Sequence, residues 1–283
     1  MMIASADEQI RLVELLAFYA EAGVDEPLEE QSIDRFQERP PQRTAAPAAE
    51  QKPSNARPGP ERQMSAPAPP PPATRPMQAV VPDEGQVLLA RELATAANSL
   101  EELRTAMQAF EGCNLKFTAK QLVFADGNPE ADLMLVGEAP GRDEDIEGLP
   151  FVGRSGQLLD RILAAIGRDR KSAYIANVIP WRPPGNRTPT PHETEICRPF
   201  IERQIELANP KVLVTLGGPS AKTLLHATDG ILRLRGTWKL HRTLSGVEIP
   251  AMPTLHPAYL LRNPAHKKLA WRDFLEIKKR LIT

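Results

Sequence analysis

Leu-Met-Leu-Val-Gly, residues 133–137, runs directly into Glu-Ala-Pro-Gly, residues 138–141, and this stretch decides the fold. An apolar run that ends in a turn rich in Gly and Pro is typical of a strand buried on both faces of a sheet. Three similar runs follow, at 173–178, 212–217 and 249–255. Parallel strands of this kind carry their functional residues at their carboxyl ends.

Helical patterns lie between and around these strands. The spacing of apolar residues predicts helices over 155–167, 192–208, 218–226 and 266–281, and a longer helix over 85–110 ahead of the first strand. Continuous apolar strands that alternate with helices predict an α/β fold, in which helices cover both faces of a parallel sheet.

The first 83 residues differ in composition from the rest of the chain. Residues 40–82 contain 13 of the 29 prolines, and proline resists the interiors of both helices and strands. We therefore predict a short N-terminal helix over 1–24, a Pro-rich disordered linker over 25–83 and a folded domain over 84–283. A helix this short is marginal in water, so we expect it to dock on the domain or on a protein partner.

Composition limits the class of protein. The chain has 283 residues, a net charge of −1 and 41% hydrophobic residues, as an ordinary soluble protein has. No run of 18 uncharged apolar residues is present, so we expect no membrane span. Only Cys113 and Cys197 are available as thiols, which fits a reducing cytoplasm. We expect a cytoplasmic monomer.

Charge is distributed unevenly along the chain. Residues 231–283 hold 11 Lys and Arg against 3 Asp and Glu, whereas residues 1–83 hold 8 against 13. A basic C-terminal quarter favours a face that binds a polyanion such as nucleic acid, although a solvated basic helix has the same composition.

The first two loops after the opening strand carry acids, glycines and one aromatic residue. Glu138 and Glu144 follow that strand, and the alternative to a functional role is a surface loop with solvated acids. In the next loop Ser155 could cap a helix, and its glycine neighbours leave amides for an anion. Phe151 could stack on a ligand or cover the core.

Two further strand ends place Asn177 and His256 at the same edge of the sheet. The amide of Asn177 offers a donor and an acceptor side by side, which suits a nucleobase edge, and a structural Asn in a turn is the alternative. His256 stands before Pro257 in a loop rich in apolar and basic residues, and could be a catalytic donor or a structural histidine.

Together these motifs resemble the uracil-DNA glycosylases of the thermostable, bacterial and archaeal family 4 type. The resemblance extends from about Phe110 to Leu281 and implies a three-layer α/β/α domain around a four-stranded parallel sheet. The motifs that carry it, in chain order, are 137–141 with 144–145, 150–153, the strand that ends at Asn177, 182–189, and 256–264.

The resemblance implies base flipping and cleavage of the glycosidic bond, with uracil-containing DNA, single- or double-stranded, as the substrate. It implies catalytic roles for Glu138, Glu144 and His256, with no metal required. It assigns the uracil pocket to Ala139, Phe151 and Asn177. It assigns DNA contacts to Ser155, Arg187, Leu260, Leu261 and Arg262.

One departure concerns an iron–sulfur cluster. The family usually holds a [4Fe–4S] cluster on four Cys, whereas Phe110, Cys113, Trp181 and Cys197 stand at those positions here. Two thiolates do not supply four ligands. We therefore expect no cluster, and aromatic packing in its place.

Two other functions remain open. Some relatives of the family trap themselves on the abasic sugar through a His in an inserted basic loop, and here Asn186 stands at that position without the insert. A scaffold that recruits partners through the N-terminal helix is the other alternative.

Overall fold

A computed structural model of the chain describes residues 84–282, so the N-terminal helix and the Pro-rich linker expected over 1–24 and 25–83 lie outside the described residues. Six strands form one sheet with the order β1-β3-β2-β4-β6-β5. Their bounds are Asp126–Gly127 (β1), Leu133–Gly137 (β2), Tyr174–Asn177 (β3), Val212–Leu216 (β4), Lys239–Arg242 (β5) and Glu248–Thr254 (β6).

The sheet contains the expected four parallel strands and two more. Strands β3, β2, β4 and β6 pair in parallel, each within a residue or so of the predicted run. Strands β1 and β5 pair antiparallel at the two edges, which corrects the four-stranded count to six. The edges escaped the sequence pattern because β1 has two residues and β5 buries only His241.

Helices cover both faces, as the three-layer prediction requires. The α-helices, each four residues or longer, are Glu84–Ala96 (α1), Leu100–Ala109 (α2), Leu115–Thr118 (α3), Arg142–Glu147 (α4), Arg154–Ala165 (α5), Pro191–Ala208 (α6), Gly218–Leu225 (α7), Ile231–Leu234 (α8), Pro257–Arg262 (α9) and Lys267–Ile282 (α10). Short 3₁₀ turns span Arg170–Ser172, Pro184–Asn186 and Pro264–His266. Within residues 84–282, no helix is both long and apolar enough to cross a membrane.

The single helix predicted over 85–110 is two helices. The chain leaves α1 after Ala96 and starts again at Ser99, whose hydroxyl accepts a hydrogen bond from the backbone N–H of Glu102 at 3.1 Å. A serine cap of this kind satisfies an N–H that the start of a helix leaves unpaired. Apolar periodicity continues across the break, so the pattern alone concealed it.

Side-chain alternation along the parallel strands builds a core on each face. Leu133, Leu135 and Val214 pack with apolar residues of α5 and α10 on one face. Met134 and Val136 pack on the other face with residues of α1, α2 and α6. Register then fixes the functional edge, because Gly137 pairs with Asn177 and Leu216 with Thr254.

Candidate active site

A cavity of about 510 Å³ opens at the carboxyl ends of the parallel strands. Nine of the eleven residues predicted for the site line it, since the strand ends meet at one edge. These nine are Glu138, Ala139, Glu144, Phe151, Ser155, Asn177, Arg187, His256 and Arg262. The cavity also contains residues outside the predicted set, among them Gly217, Gly218, Pro219 and Tyr259.

The two carboxylates occupy different environments. Glu138 is the first residue after β2 and is half-buried. Burial raises the pKa of its carboxyl above the ordinary value. Glu144 is buried, and each of its oxygens accepts a backbone hydrogen bond: Oε2 from Gly141 at 3.0 Å and Oε1 from Gly153 at 3.2 Å. Glu144 therefore joins two cavity loops, while the Glu138 carboxylate stands at the wall.

Phe151 stands at the floor of the cavity in an uncommon backbone conformation. Its φ is +57°, and its side chain is 4% exposed. Its ring lies 5.5 Å from the ring of His256, centroid to centroid. A Cβ at position 137 would stand 2.6 Å from Phe151 Cζ and 2.4 Å from Asn177 Oδ1, so only glycine at 137 lets the ring and the amide meet.

The amide of Asn177 is buried without a protein partner. The residue is 4% exposed, and neither Nδ2 nor Oδ1 forms a hydrogen bond with any residue in the range 84–282. Buried polar side chains are nearly always paired, and an unpaired one needs an explanation. Since Asn177 lines the cavity, a ligand that offers one donor and one acceptor would satisfy both atoms.

His256 is held as a neutral imidazole with a defined tautomer. Burial and, after it, the positive charge of Arg262 lower the pKa of His256 to about 4. Its Nδ1 accepts a hydrogen bond from the backbone N–H of Ala258 at 3.1 Å at the start of α9. Because Nδ1 is an acceptor, the single proton of the ring belongs on Nε2, which makes Nε2–H a donor.

Gly217 gives His256 its space. Its φ is +97°, and a Cβ there would stand 3.1 Å from the Cβ of His256. Glycine is the residue that adopts this backbone without strain while allowing the close approach. Gly217 is absent from the residues predicted for the site, although its place at the end of a predicted strand was a usable signal.

Three of the residues predicted to contact DNA have surroundings that the sequence did not indicate. Ser155 lies inside α5, and Gly153 occupies the N-cap position that the sequence suggested for Ser155. Arg187 forms a bidentate ion pair with Glu193, at 2.6 and 2.9 Å. Leu260 is 1% exposed and packs in a cluster with Leu255 and Ala270, so its side chain is part of the core.

Leu261 and Arg262 remain at the end of α9 as candidates for DNA contact. Leu261 is half-buried, and Arg262 is exposed at the cavity wall. Arg262 lines the same cavity as His256, whereas Leu261 does not.

The four positions that correspond to cluster ligands form a closed, packed region. The Sγ atoms of Cys113 and Cys197 lie 3.9 Å apart, and both residues are fully buried. The ring centroids of Phe110 and Trp181 are 6.5 Å apart in a stacked arrangement, and Phe200 meets Phe110 edge-on at 5.1 Å. We call these five residues the aromatic–thiol plug.

The plug does not fit an iron–sulfur cluster. It has two sulfur atoms where a cubane requires four ligands, and aromatic rings occupy the other two positions. Within residues 84–282, no three His, Cys, Asp or Glu side chains are grouped to hold a metal ion.

Comparisons with known proteins identify the family of the segment that contains this cavity. The family model described as the uracil DNA glycosylase superfamily matches residues 124–275, a segment that contains β2 to β6 and every cavity residue named above. More than half of the chain is therefore covered by one family.

Curated relatives give the same picture. The type-4 uracil-DNA glycosylase of Sulfurisphaera tokodaii is 38% identical over 194 residues, which cover 66% of this chain and 86% of that protein. Those of Archaeoglobus fulgidus and Thermotoga maritima are 38% and 39% identical, with 63% and 61% of this chain and 92% and 88% of those proteins covered.

Proposed function

The chain belongs to the uracil DNA glycosylase superfamily, and from this premise we propose that it removes uracil from DNA by hydrolysing the N-glycosidic bond. The observation that carries the proposal is the unpartnered amide of Asn177 beside the ring of Phe151 in the cavity. A base inside a duplex is out of reach of such a cavity, so the nucleotide must leave the stack to enter it.

Asn177 selects uracil by hydrogen-bond pattern. Its Nδ2 donates to the uracil O4 and its Oδ1 accepts from the uracil N3–H. Cytosine presents an amino donor and an acceptor nitrogen at the same two positions, so both pairs would fail. Phe151 stacks on the base and excludes water from its face.

His256 stabilises the departing base. Cleavage leaves negative charge on the uracil ring, and the Nε2–H of neutral His256 donates to the uracil O2, where that charge develops. A neutral imidazole donates this hydrogen bond without transferring its proton. Removing a single donor of this type typically costs 10²- to 10³-fold in kcat.

Glu138 serves the sugar and the water. The breaking bond gives the deoxyribose an oxocarbenium character, which a nearby carboxylate stabilises while it orients the attacking water. We assign this role to Glu138, because both oxygens of Glu144 are bound to backbone amides. Glu144 supports the reaction by holding the loops of Gly141 and Gly153 together.

DNA is held mainly through its phosphates. Basic residues of α10 and of the loops contribute to this binding, so affinity should fall as salt rises. Leu261 and Arg262 approach the gap that the flipped nucleotide leaves. Arg187 reaches a phosphate only after it leaves Glu193, and Ser155 contributes its hydroxyl at the cavity wall.

We further propose that the enzyme works without an iron–sulfur cluster, as a cytoplasmic monomer whose catalytic domain spans 84–283. The ligand count of the aromatic–thiol plug supports the first statement. The remaining statements rest on the composition of the chain, in which prolines concentrate in the segment 25–83. We keep the helix predicted over 1–24 as a candidate site for a protein partner.

A strand-cleavage assay separates the three functions. A uracil oligonucleotide is incubated with the protein and chelator and then treated with alkali, with a thymine oligonucleotide as the control. Repeated turnover on uracil alone supports the glycosylase. A stable protein–DNA adduct would indicate trapping, which Asn186 at the wall of the cavity disfavours, and no product at all would indicate a scaffold.

A further inference from the structure

Phe151 requires support from outside the cavity. A non-glycine residue with φ near +57° carries backbone strain, and this conformation persists only where the surroundings hold it. The direction of the ring depends on that backbone conformation. Whatever holds residue 151 at positive φ therefore also sets the surface on which a base stacks.

Arg170 provides this support. Its Nη1 donates to the carbonyl oxygen of Pro150 at 3.1 Å, and its Nη2 donates to the carbonyl oxygen of Phe151. Both bonds are charge-assisted, which makes them stronger than bonds between neutral groups. Gly156 leaves room for the same Phe151 oxygen, since a Cβ there would stand 1.6 Å from it.

Two carboxylates fix the guanidinium in turn. Nη1 of Arg170 also pairs with Asp126 on the edge strand β1, and Nε pairs with Asp160 on α5 at 2.8 Å. Because all three nitrogens of the planar guanidinium donate hydrogen bonds, the Arg170 side chain is held in one orientation. Arg170 is absent from the residues that line the cavity, so its effect on a bound base has to pass through residue 151.

We propose that Arg170, held by Asp126 and Asp160, is a positioning residue that presents the Phe151 ring to the flipped base. The proposal rests on the proposed function, because the ring needs a base to stack on. Arg170 contacts neither substrate nor DNA in this role. It sets base affinity within the cavity and leaves binding to the phosphates unchanged.

The test compares Arg170→Gln with the matched control Arg203→Gln. Arg203 has the same kind of bonds, two to the carbonyl of Ala97 and one to Glu206, but it lies outside the cavity. Three quantities are measured for each: inhibition by free uracil, kcat on a uracil oligonucleotide, and affinity for a uracil-free duplex. The midpoint temperature of thermal unfolding, measured for each variant, shows how much each substitution destabilises the fold.

Arg170→Gln should weaken inhibition by free uracil about tenfold, within the range of stacking energies, and should lower kcat. Affinity for the uracil-free duplex should stay unchanged, and Arg203→Gln should leave all three quantities unchanged. Equal effects of the two substitutions, or unchanged uracil inhibition in Arg170→Gln, overturn the proposal.

A double-mutant cycle covers the case in which Arg170→Gln folds poorly. Arg170→Lys keeps the charge and loses the fork that reaches two carbonyls. In a Phe151→Leu background it should have almost no further effect on uracil inhibition, because the ring through which it acts is gone. Additive effects overturn the proposal. A wild-type protein that neither excises nor binds uracil overturns the proposed function, and this inference with it.

Discussion

The backbone N–H of Ala258 donates a hydrogen bond to Nδ1 of His256 at 3.1 Å. The cap at the start of α9 thereby selects the tautomer of the residue that faces the leaving group. One hydrogen bond therefore both caps the helix and fixes the proton of His256 on Nε2. The roles proposed for His256 and for the other cavity residues can be measured.

His256→Ala should lower kcat by about 10²- to 10³-fold, equivalent to roughly 3–4 kcal/mol of transition-state stabilisation, with little change in KM. The donor to the uracil O2 is lost in this variant. Single-turnover excision on a uracil oligonucleotide measures the effect. His226→Asn, which changes a histidine outside the cavity, is the control, and near-normal turnover in His256→Ala would assign the donor role to another residue.

Glu138→Gln should lower kcat and remove the acid limb of the pH–rate profile. The reacting form of Glu138 is the carboxylate, and burial raises its pKa, so activity should be full above that pKa and fall as the pH drops through it. His256, with a pKa of about 4, stays neutral across the range from pH 6 to 8 and adds no titration there. An unchanged acid limb in Glu138→Gln contradicts the assignment.

Glu144→Gln should affect stability more than chemistry. The carboxylate of Glu144 accepts hydrogen bonds from two backbone N–H groups, and in glutamine one of its oxygens is replaced by an NH₂ group. One backbone N–H then has no acceptor, which costs about 1–3 kcal/mol. Thermal unfolding should show this loss. A normal melting temperature with abolished catalysis would instead make Glu144 the reacting carboxylate.

Asn177→Asp should weaken the preference for uracil over cytosine. The substitution replaces the amide donor with an acceptor, so the hydrogen bond to the uracil O4 is lost, while a carboxyl oxygen at the same position accepts a hydrogen bond from the cytosine amino group. Excision rates on matched uracil and cytosine oligonucleotides give the ratio directly. Asn186→Asp, which alters an exposed Asn at the cavity rim, serves as the control.

The purified protein should be colourless and free of stoichiometric iron. Reconstitution with iron and sulfide should leave the wild type unchanged, because the plug offers two thiols. The double variant Phe110→Cys/Trp181→Cys raises the count to four and should gain visible absorbance under the same treatment. A brown wild-type preparation with about four irons per chain contradicts the proposal.

A chain that begins at Asp83 should fold and excise uracil at a rate similar to that of the full chain on short oligonucleotides. The described domain starts with α1, whose Ala90 and Ala94 are buried in the core. A chain that begins at Leu100 lacks these contacts and is the control, which should lose stability. If the chain that begins at Asp83 is inactive, residues 1–82 contribute to the catalytic domain.

Sequence patterns located the parallel strands because each is a continuous apolar run with a turn residue after it. The strand ends then brought Glu138, Asn177 and His256 to one edge by topology alone. The patterns did not distinguish the roles of Glu138 and Glu144, because the backbone N–H groups that bind Glu144 come from two different loops. They also missed Arg170, because its partners Asp126 and Asp160 are far from it in the chain and only the fold brings them together.

Exposure accounts for the other differences. Strand β5 shows exposed residues on both sides of His241, so no apolar period marked it. The resemblance assigns Leu260 to DNA contact, but helix α9 turns it inward. The resemblance also assigns Arg187 to DNA contact, and Glu193 six residues later forms an ion pair with it.

The aromatic–thiol plug also bears on how the enzyme is made in a cell. A region packed with the rings of Phe110, Trp181 and Phe200 is complete as soon as the polypeptide folds. Under our proposal that no cluster is bound, maturation should need no iron, no sulfide and no assembly machinery, and newly translated molecules should be active at once. Starvation for iron, or oxidants that destroy inorganic clusters, should then spare the activity, and a foreign host should produce the protein in active form.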